Sequence, residues 1–191
     1  HAIVSSKLGD PTPKLQGRVT LNPAAHIDIY GFIALILCGF GWGQPVQIDN
    51  RYYKSKRRDE FLVSIAGVAM NVVLAFIFAF ILKFFIALAS FNGPTFDLNT
   101  AKGIISTILA GIISVNVILA IFNLIPIPPL DGFQIINSIF DLEKYSWYQT
   151  IYNNGFIILM ILLMLGVIDV VISPLSRGLN YFLMYNIVAG V

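Results

Sequence analysis

The run FLVSIAGVAMNVVLAFIFAFILKFFIALAS, from Phe61 to Ser90, decides what kind of protein this is. Only Asn71 and Lys83 interrupt its apolar character, and it exceeds the ~20 residues that a helix needs to cross the hydrocarbon core of a bilayer. Two further runs, Gly103 to Pro129 and Ile151 to Ser173, are also long enough. The 191-residue chain is 57% hydrophobic and 12% charged, whereas a soluble domain carries about 25% charged residues. Lipid must solvate most of it, and the fold predicted is an all-α polytopic membrane protein, a transmembrane helix bundle forming one domain over residues 1–191. A net charge of +2, with basic residues not interleaved with aromatics along one surface, excludes nucleic acid as a partner. The partners implied are the lipid bilayer and other membrane-embedded proteins. Cys38 is the single cysteine, so no internal disulfide exists, and it reads as a small buried side chain. The chain opens at His1 without a signal-peptide pattern, and its natural start is expected to lie further upstream.

Outward from this run, His1 to Leu8 reads as the end of a helix, closed by Gly9 and by the Asp10-Pro11-Thr12-Pro13 stretch that cannot continue one. Gln16 to Leu21 alternates weakly, as a short strand would, before the turn at Asn22-Pro23. The apolar run from Ile29 to Phe40 falls short of the ~17 residues required to span and ends among Gly39, Gly41 and Gly43, which predicts a re-entrant or interfacial element. Arg51, Lys54, Lys56, Arg57 and Arg58 form the densest positive cluster and place their loop in the cytoplasm by the positive-inside rule. From there Phe61 to Ile86 crosses outward, Asn92-Gly93-Pro94 turns outside, Gly103 to Ile121 returns, Asp141 to Lys144 lies inside, and Ile151 to Ile172 crosses outward again. Trp42 and Tyr52-Tyr53 read as interfacial anchors, and Lys83 as a snorkelling lysine near its helix end.

The chemistry concentrates in Asn123-Leu124-Ile125-Pro126-Ile127-Pro128-Pro129-Leu130-Asp131-Gly132. Three prolines in four positions remove backbone donors and stop regular helix, and a carboxylate and an amide at such depth are costly enough to suggest function. The competing reading of Asp131 is a cap on a helix beginning near Phe133.

This stretch resembles the Asn-x-x-Pro-x-Pro-x-x-Asp-Gly motif of the site-2 proteases and matches it at every fixed position. Leu21 to Asp28, Gly41 to Val46, and Ala66-Gly67 with Asn71 agree with the same family, so the resemblance covers His1 to about Asn137. Val68 stands where relatives commonly have proline, a change expected to alter a kink. The family's His-Glu-x-x-His motif occurs nowhere in the sequence. His1-Ala2-Ile3-Val4, with Lys7-Leu8-Gly9-Asp10-Pro11-Thr12 after it, resembles the family's sequence from the second histidine of that motif onward. The resemblance therefore implies His1 and Asp131 as zinc ligands, one zinc ion per chain, and a catalytic glutamate upstream of His1. Asn123 is implied as a catalytic group that positions the substrate backbone or the developing oxyanion, with helix capping or interhelical hydrogen bonding as its alternative.

The activity implied is that of a zinc-dependent intramembrane endopeptidase, hydrolysing peptide bonds of transmembrane-helix protein substrates. The setting implied is a prokaryotic cell membrane, with the active site toward the cytoplasmic side. A non-enzymatic membrane protein, transporter-like or a degenerate relative, is the alternative. A shared metal site needs His1 and Asp131 at similar depth, which holds if the Ile29 to Phe40 run dips in and returns. His26 reads as a loop-ordering residue, with contact to substrate or metal as the lesser alternative.

Overall fold

The computed structural model describes residues 1–39, 41–89 and 95–189. The expected turn at Asn92-Gly93-Pro94 and the side chain of Cys38 lie outside what is described. The chain forms two compact units, His1–Ala66 and Gly67–Val191.

In the first unit, α1 (Ala2–Lys7) begins at His1 and ends where Gly9 takes a positive φ of 112°, the stop anticipated from the glycine. A short α2 (Thr12–Leu15) comes next. The expected strand over Gln16 to Leu21 does not form: Gly17 turns at φ 68°, the Arg18 amide bonds back to the Pro13 carbonyl at 2.9 Å, and the Asn22 side chain accepts from the Ala24 amide. Weak alternation offered no partner strand, and local turn bonds prevail. No strand occurs among the described residues; the nearest approach is an isolated antiparallel bridge between Ile27 and Gly43.

That bridge resolves the short apolar run. Asp28 caps α3 (Ile29–Cys38), and Gly39, at φ 73°, closes it in the left-handed conformation. The chain then folds straight back. The Gln44 amide reaches the His26 carbonyl at 2.9 Å, so the residues before the helix and those after it lie side by side. Glycine is required on both arms, since a Cβ on Gly31 would overlap the Trp42 carbonyl and one on Gly41 would overlap the Gly31 carbonyl. This hairpin folds back on itself, the geometry that a re-entrant element requires. Its helix exposes Ile29, Tyr30, Phe32, Leu35, Ile36 and Leu37, an apolar surface suited to lipid.

α4 (Lys56–Ala89) starts in the first unit and runs into the second; it and α5 (Ala101–Asn123) are each long and apolar enough to cross a membrane. Ala75, Ala79 and Leu82 of α4 recur on one face and pack with Ile113 and Val117 of α5, the small alanines allowing close approach of the two backbones. Outward-facing Phe84 and Leu88 are 66% and 82% exposed, an arrangement stable only where the surroundings are hydrocarbon.

The last apolar segment differs from the single crossing expected over Ile151 to Ile172. α7 (Tyr148–Met164) ends at Leu165, Gly166 turns at φ 70°, and α8 (Val167–Phe182) departs at an angle of 73° before a π-helical end, Leu183–Ala189. A left-handed glycine cannot continue an α-helix, so the run divides into two arms. α8 packs along α5, with Leu179 and Leu183 in the α4–α5 core and Ile168 and Ile172 packed with Leu130 and Leu159.

Candidate functional site

The second unit presents the proline-rich motif as a closed loop. Asn123 is the last residue of α5 and Asp131 the first of α6 (Asp131–Phe140), both half-buried. α6 thus begins two residues before Phe133, and its capping position is Leu130. The Asp131 carboxylate lies in the first turn, where the helix macrodipole favours negative charge. The loop between carries its own bonds: the Ile125 amide to the Phe122 carbonyl at 3.1 Å, and the Leu130 amide to the Ile127 carbonyl at 2.9 Å. Prolines occupy three of the remaining positions, so fewer donors need partners.

Two glycines set the loop's shape. A Cβ on Gly132 would overlap the Leu124 carbonyl, so the start of α6 lies directly against the end of α5, and Asn123 and Asp131 each adjoin this contact. A Cβ on Gly155 would overlap Pro128, so α7 backs the loop at van der Waals distance. Phe133 stacks on Tyr148 at 5.7 Å between ring centroids, holding α6 to α7. Beside the loop lies an apolar cavity of about 550 Å³ lined by Leu124, Pro126, Ile168, Val171, Leu175 and others. Gly155 carries no sequence signal that separates it from the other small residues of apolar helices.

The first unit presents His1. Its Nδ1 lies 2.9 Å from the Val63 carbonyl of α4. A carbonyl only accepts, so Nδ1 bears the proton and Nε2 is the basic nitrogen, the tautomer that a metal-binding histidine adopts when its other nitrogen is held by a second partner. Donors of this kind, an imidazole nitrogen here and a carboxylate oxygen at Asp131, are those zinc takes. Among the described residues no group of three His, Cys, Asp or Glu side chains is gathered as a metal site.

Just below His1 a buried polar network fastens α1. The Asp10 carboxylate is fully buried and accepts from the Ser5 hydroxyl at 2.8 Å, the Thr12 amide at 2.9 Å and the Asp49 amide at 2.9 Å. Since Ser5 must donate to the carboxylate, its oxygen accepts from the Tyr53 hydroxyl, 2.8 Å away. Tyr53 is therefore a buried network member, in contrast to the interfacial anchor expected; Tyr52 and Trp42 are exposed. Burial alone would raise the Asp10 carboxyl, but the bonds from Thr12, Asp49 and Ser5 outweigh it and hold the group below its ordinary value. Burial pushes the Tyr53 hydroxyl up, with the negative charge of Asp10 adding to it and the Ser5 bond opposing.

Sequence reasoning read Asp10 only as part of a helix stop, because its partners include a backbone amide 39 positions away. A carboxyl depressed on folding contributes stability that is complete above its unfolded value, near 3.8, and lost as pH falls through the lower folded value. Asp10→Asn is expected to cost about 1–3 kcal/mol of stability at neutral pH for donors left without acceptors, seen as a lower melting temperature, and to remove this acid-side loss. Thermal unfolding in detergent from neutral to acid pH measures both.

His26 serves its loop: its Nε2 donates to the Thr20 carbonyl at 2.9 Å, while its own carbonyl receives Gln44. His1 belongs to the first unit, and Asn123 and Asp131 to the second.

Comparison with known proteins agrees with these motifs. The model of peptidase family M50 matches residues 17–166. A protein of Bacillus subtilis named "Putative zinc metalloprotease YwhC" is 35% identical over 178 residues, covering 93% of this chain and 79% of its own. One of Mycolicibacterium smegmatis named "Putative zinc metalloprotease Rip2" is 26% identical over 169 residues, covering 85% of this chain and 60% of its own. No solved structure matches significantly. With a family model covering most of its length and a relative sharing 35% of its aligned residues, the chain belongs to peptidase family M50, the site-2 protease family of zinc metalloproteases.

Proposed function

We propose that this protein is a zinc-dependent intramembrane endopeptidase that hydrolyses peptide bonds in membrane-embedded substrate helices. The observation that carries the reading is the closed loop from Asn123 to Gly132, whose Gly132–Leu124 contact is flanked by the residues bearing a carboxylate and an amide at the end of a lipid-facing helix. His1, through Nε2, and Asp131 would hold one zinc ion, which when bound supplies Lewis acidity toward water and the scissile carbonyl. In the family pattern a glutamate and a second histidine join such donors.

The chain's own groups then have definite tasks. The Val63 carbonyl keeps the proton on Nδ1 of His1. The Asp10 network holds α1 in place. Asn123 donates its amide to the substrate backbone or to the oxygen on which charge develops. Apolar substrate residues fit the cavity beside Pro126, which offers hydrocarbon surface. We place the site on the cytoplasmic side of a prokaryotic membrane, because the basic loop before α4 follows the positive-inside rule.

A helical peptide bond is shielded by its own hydrogen bonds and side chains, so the substrate must unwind before attack. The hairpin's return segment beyond the Ile27–Gly43 bridge, residues 45–48, lacks regular structure and offers backbone groups for pairing with the opened peptide. A reconstituted substrate carrying Gly or Pro near the cut is therefore expected to be cleaved several-fold faster than one carrying Ala or Leu there. Equal rates would contradict the unwinding step.

A further inference from the structure

The first turn of α4 carries charge in an unfavourable place. Lys54, Lys56, Arg57 and Arg58 are all exposed and gather at the helix N-terminus, the end at which the macrodipole disfavours cations. Two carboxylates fall within 54–60: Asp59, buried, accepts from the Ser55 amide at 3.0 Å, and Glu60 accepts from Asn50 at 2.7 Å; Lys56, Arg57 and Glu60 have further partners within the chain. Arg51 pairs with Asp49 at 2.6 Å and stands apart from the cluster.

The depth of these cations follows from the helix itself. The apolar body of α4 opens at Phe61, three residues after Arg58, and at 1.5 Å rise per residue Arg58 lies roughly 4–5 Å beyond its start. A headgroup layer of about 5–7 Å flanks the hydrocarbon core on each side. With Phe61 at the edge of the hydrocarbon, Arg58 stands in the headgroup layer, with Arg57, Lys56 and Lys54 a few ångströms further out, among lipid phosphates.

We propose that Lys54, Lys56, Arg57 and Arg58 form a binding surface for anionic lipid headgroups, whose phosphates offset the repulsion between the cluster and its own helix end. The surface is distinct from the metal-binding residues and does not depend on the reading of the reaction. Arginine suits phosphate by its planar fork and lysine by its compact charge. Attraction of this kind contributes a factor of roughly five per cation near a charged surface.

The test uses the full protein in mild detergent with equal amounts of phosphatidylglycerol and phosphatidylcholine, retained lipids being counted by native mass spectrometry. The wild type is expected to retain phosphatidylglycerol at least about fivefold over phosphatidylcholine, and the preference is expected to collapse in about 0.5 M NaCl. In the variant Lys54→Gln/Lys56→Gln/Arg57→Gln/Arg58→Gln the preference should approach unity, and the rise in melting temperature on adding phosphatidylglycerol should shrink. If that variant does not fold, Lys54→Gln/Arg58→Gln should show an intermediate preference. An unchanged preference in the variants, no preference in the wild type, a preference indifferent to salt, or stronger binding of poly-glutamate than of phosphatidylglycerol each overturns the proposal.

Discussion

Asp131→Ala is expected to reduce hydrolysis of a membrane-embedded substrate by at least about a thousandfold. Removing a ligand forfeits the several kcal/mol by which a metal stabilises transition-state charge, and each 1.4 kcal/mol corresponds to a factor of ten. The fold should survive. Asp131 is half-buried in the first turn of α6, where a lost favourable charge costs only about 0.3–1 kcal/mol. Cleavage of a labelled substrate in liposomes, with helicity by circular dichroism as control, separates the two effects. Near wild-type rates would return Asp131 to a structural part at the start of its helix.

Gly132→Ala is expected to damage the same site by a different route. The added Cβ meets the Leu124 carbonyl, which is backbone and cannot swing aside as a side chain could. The end of α5 and the start of α6 must separate, at a cost of about 1–3 kcal/mol typical of overpacking. Asp131, the adjacent residue, moves with its helix. Activity should fall about a hundredfold or more, since ångström-scale misplacement suffices for such losses, and the melting temperature should drop, unlike that of Asp131→Ala. Full activity would show that the loop tolerates opening, so that its closed form is not what positions Asp131.

How much of this was legible in the sequence depended on whether the deciding interaction leaves a pattern in side chains. α4 and α5 were plain because apolar length is itself the signal for a span. The α3 hairpin was legible from two features together, a run too short to cross and glycines at its end; the left-handed turn at Gly39 and the close approach of Gly41 to the Gly31 carbonyl are the physical reasons glycine is needed there. The break at Leu165–Gly166 was missed because lipid-facing residues are apolar on both sides of a bend, and hydropathy is indifferent to a 73° change of direction. Gln16 to Leu21 misled because alternation without a partner strand specifies nothing, while Gly17 and the Arg18 bond to Pro13 fix a turn. At the candidate site, Asn123, Asp131 and Gly132 were readable as a motif. The Val63 carbonyl and the Asp49 amide were invisible because backbone groups are the same at every position.

The central claim is that His1 and Asp131 serve one metal ion. Its most direct measurement is the zinc content of the purified protein with its full N-terminus, wild type against Asp131→Ala, in the same detergent and after the same dialysis. About one zinc per chain in the wild type, falling sharply in the variant, is the predicted result. No zinc in either protein, or equal zinc in both, would contradict the account.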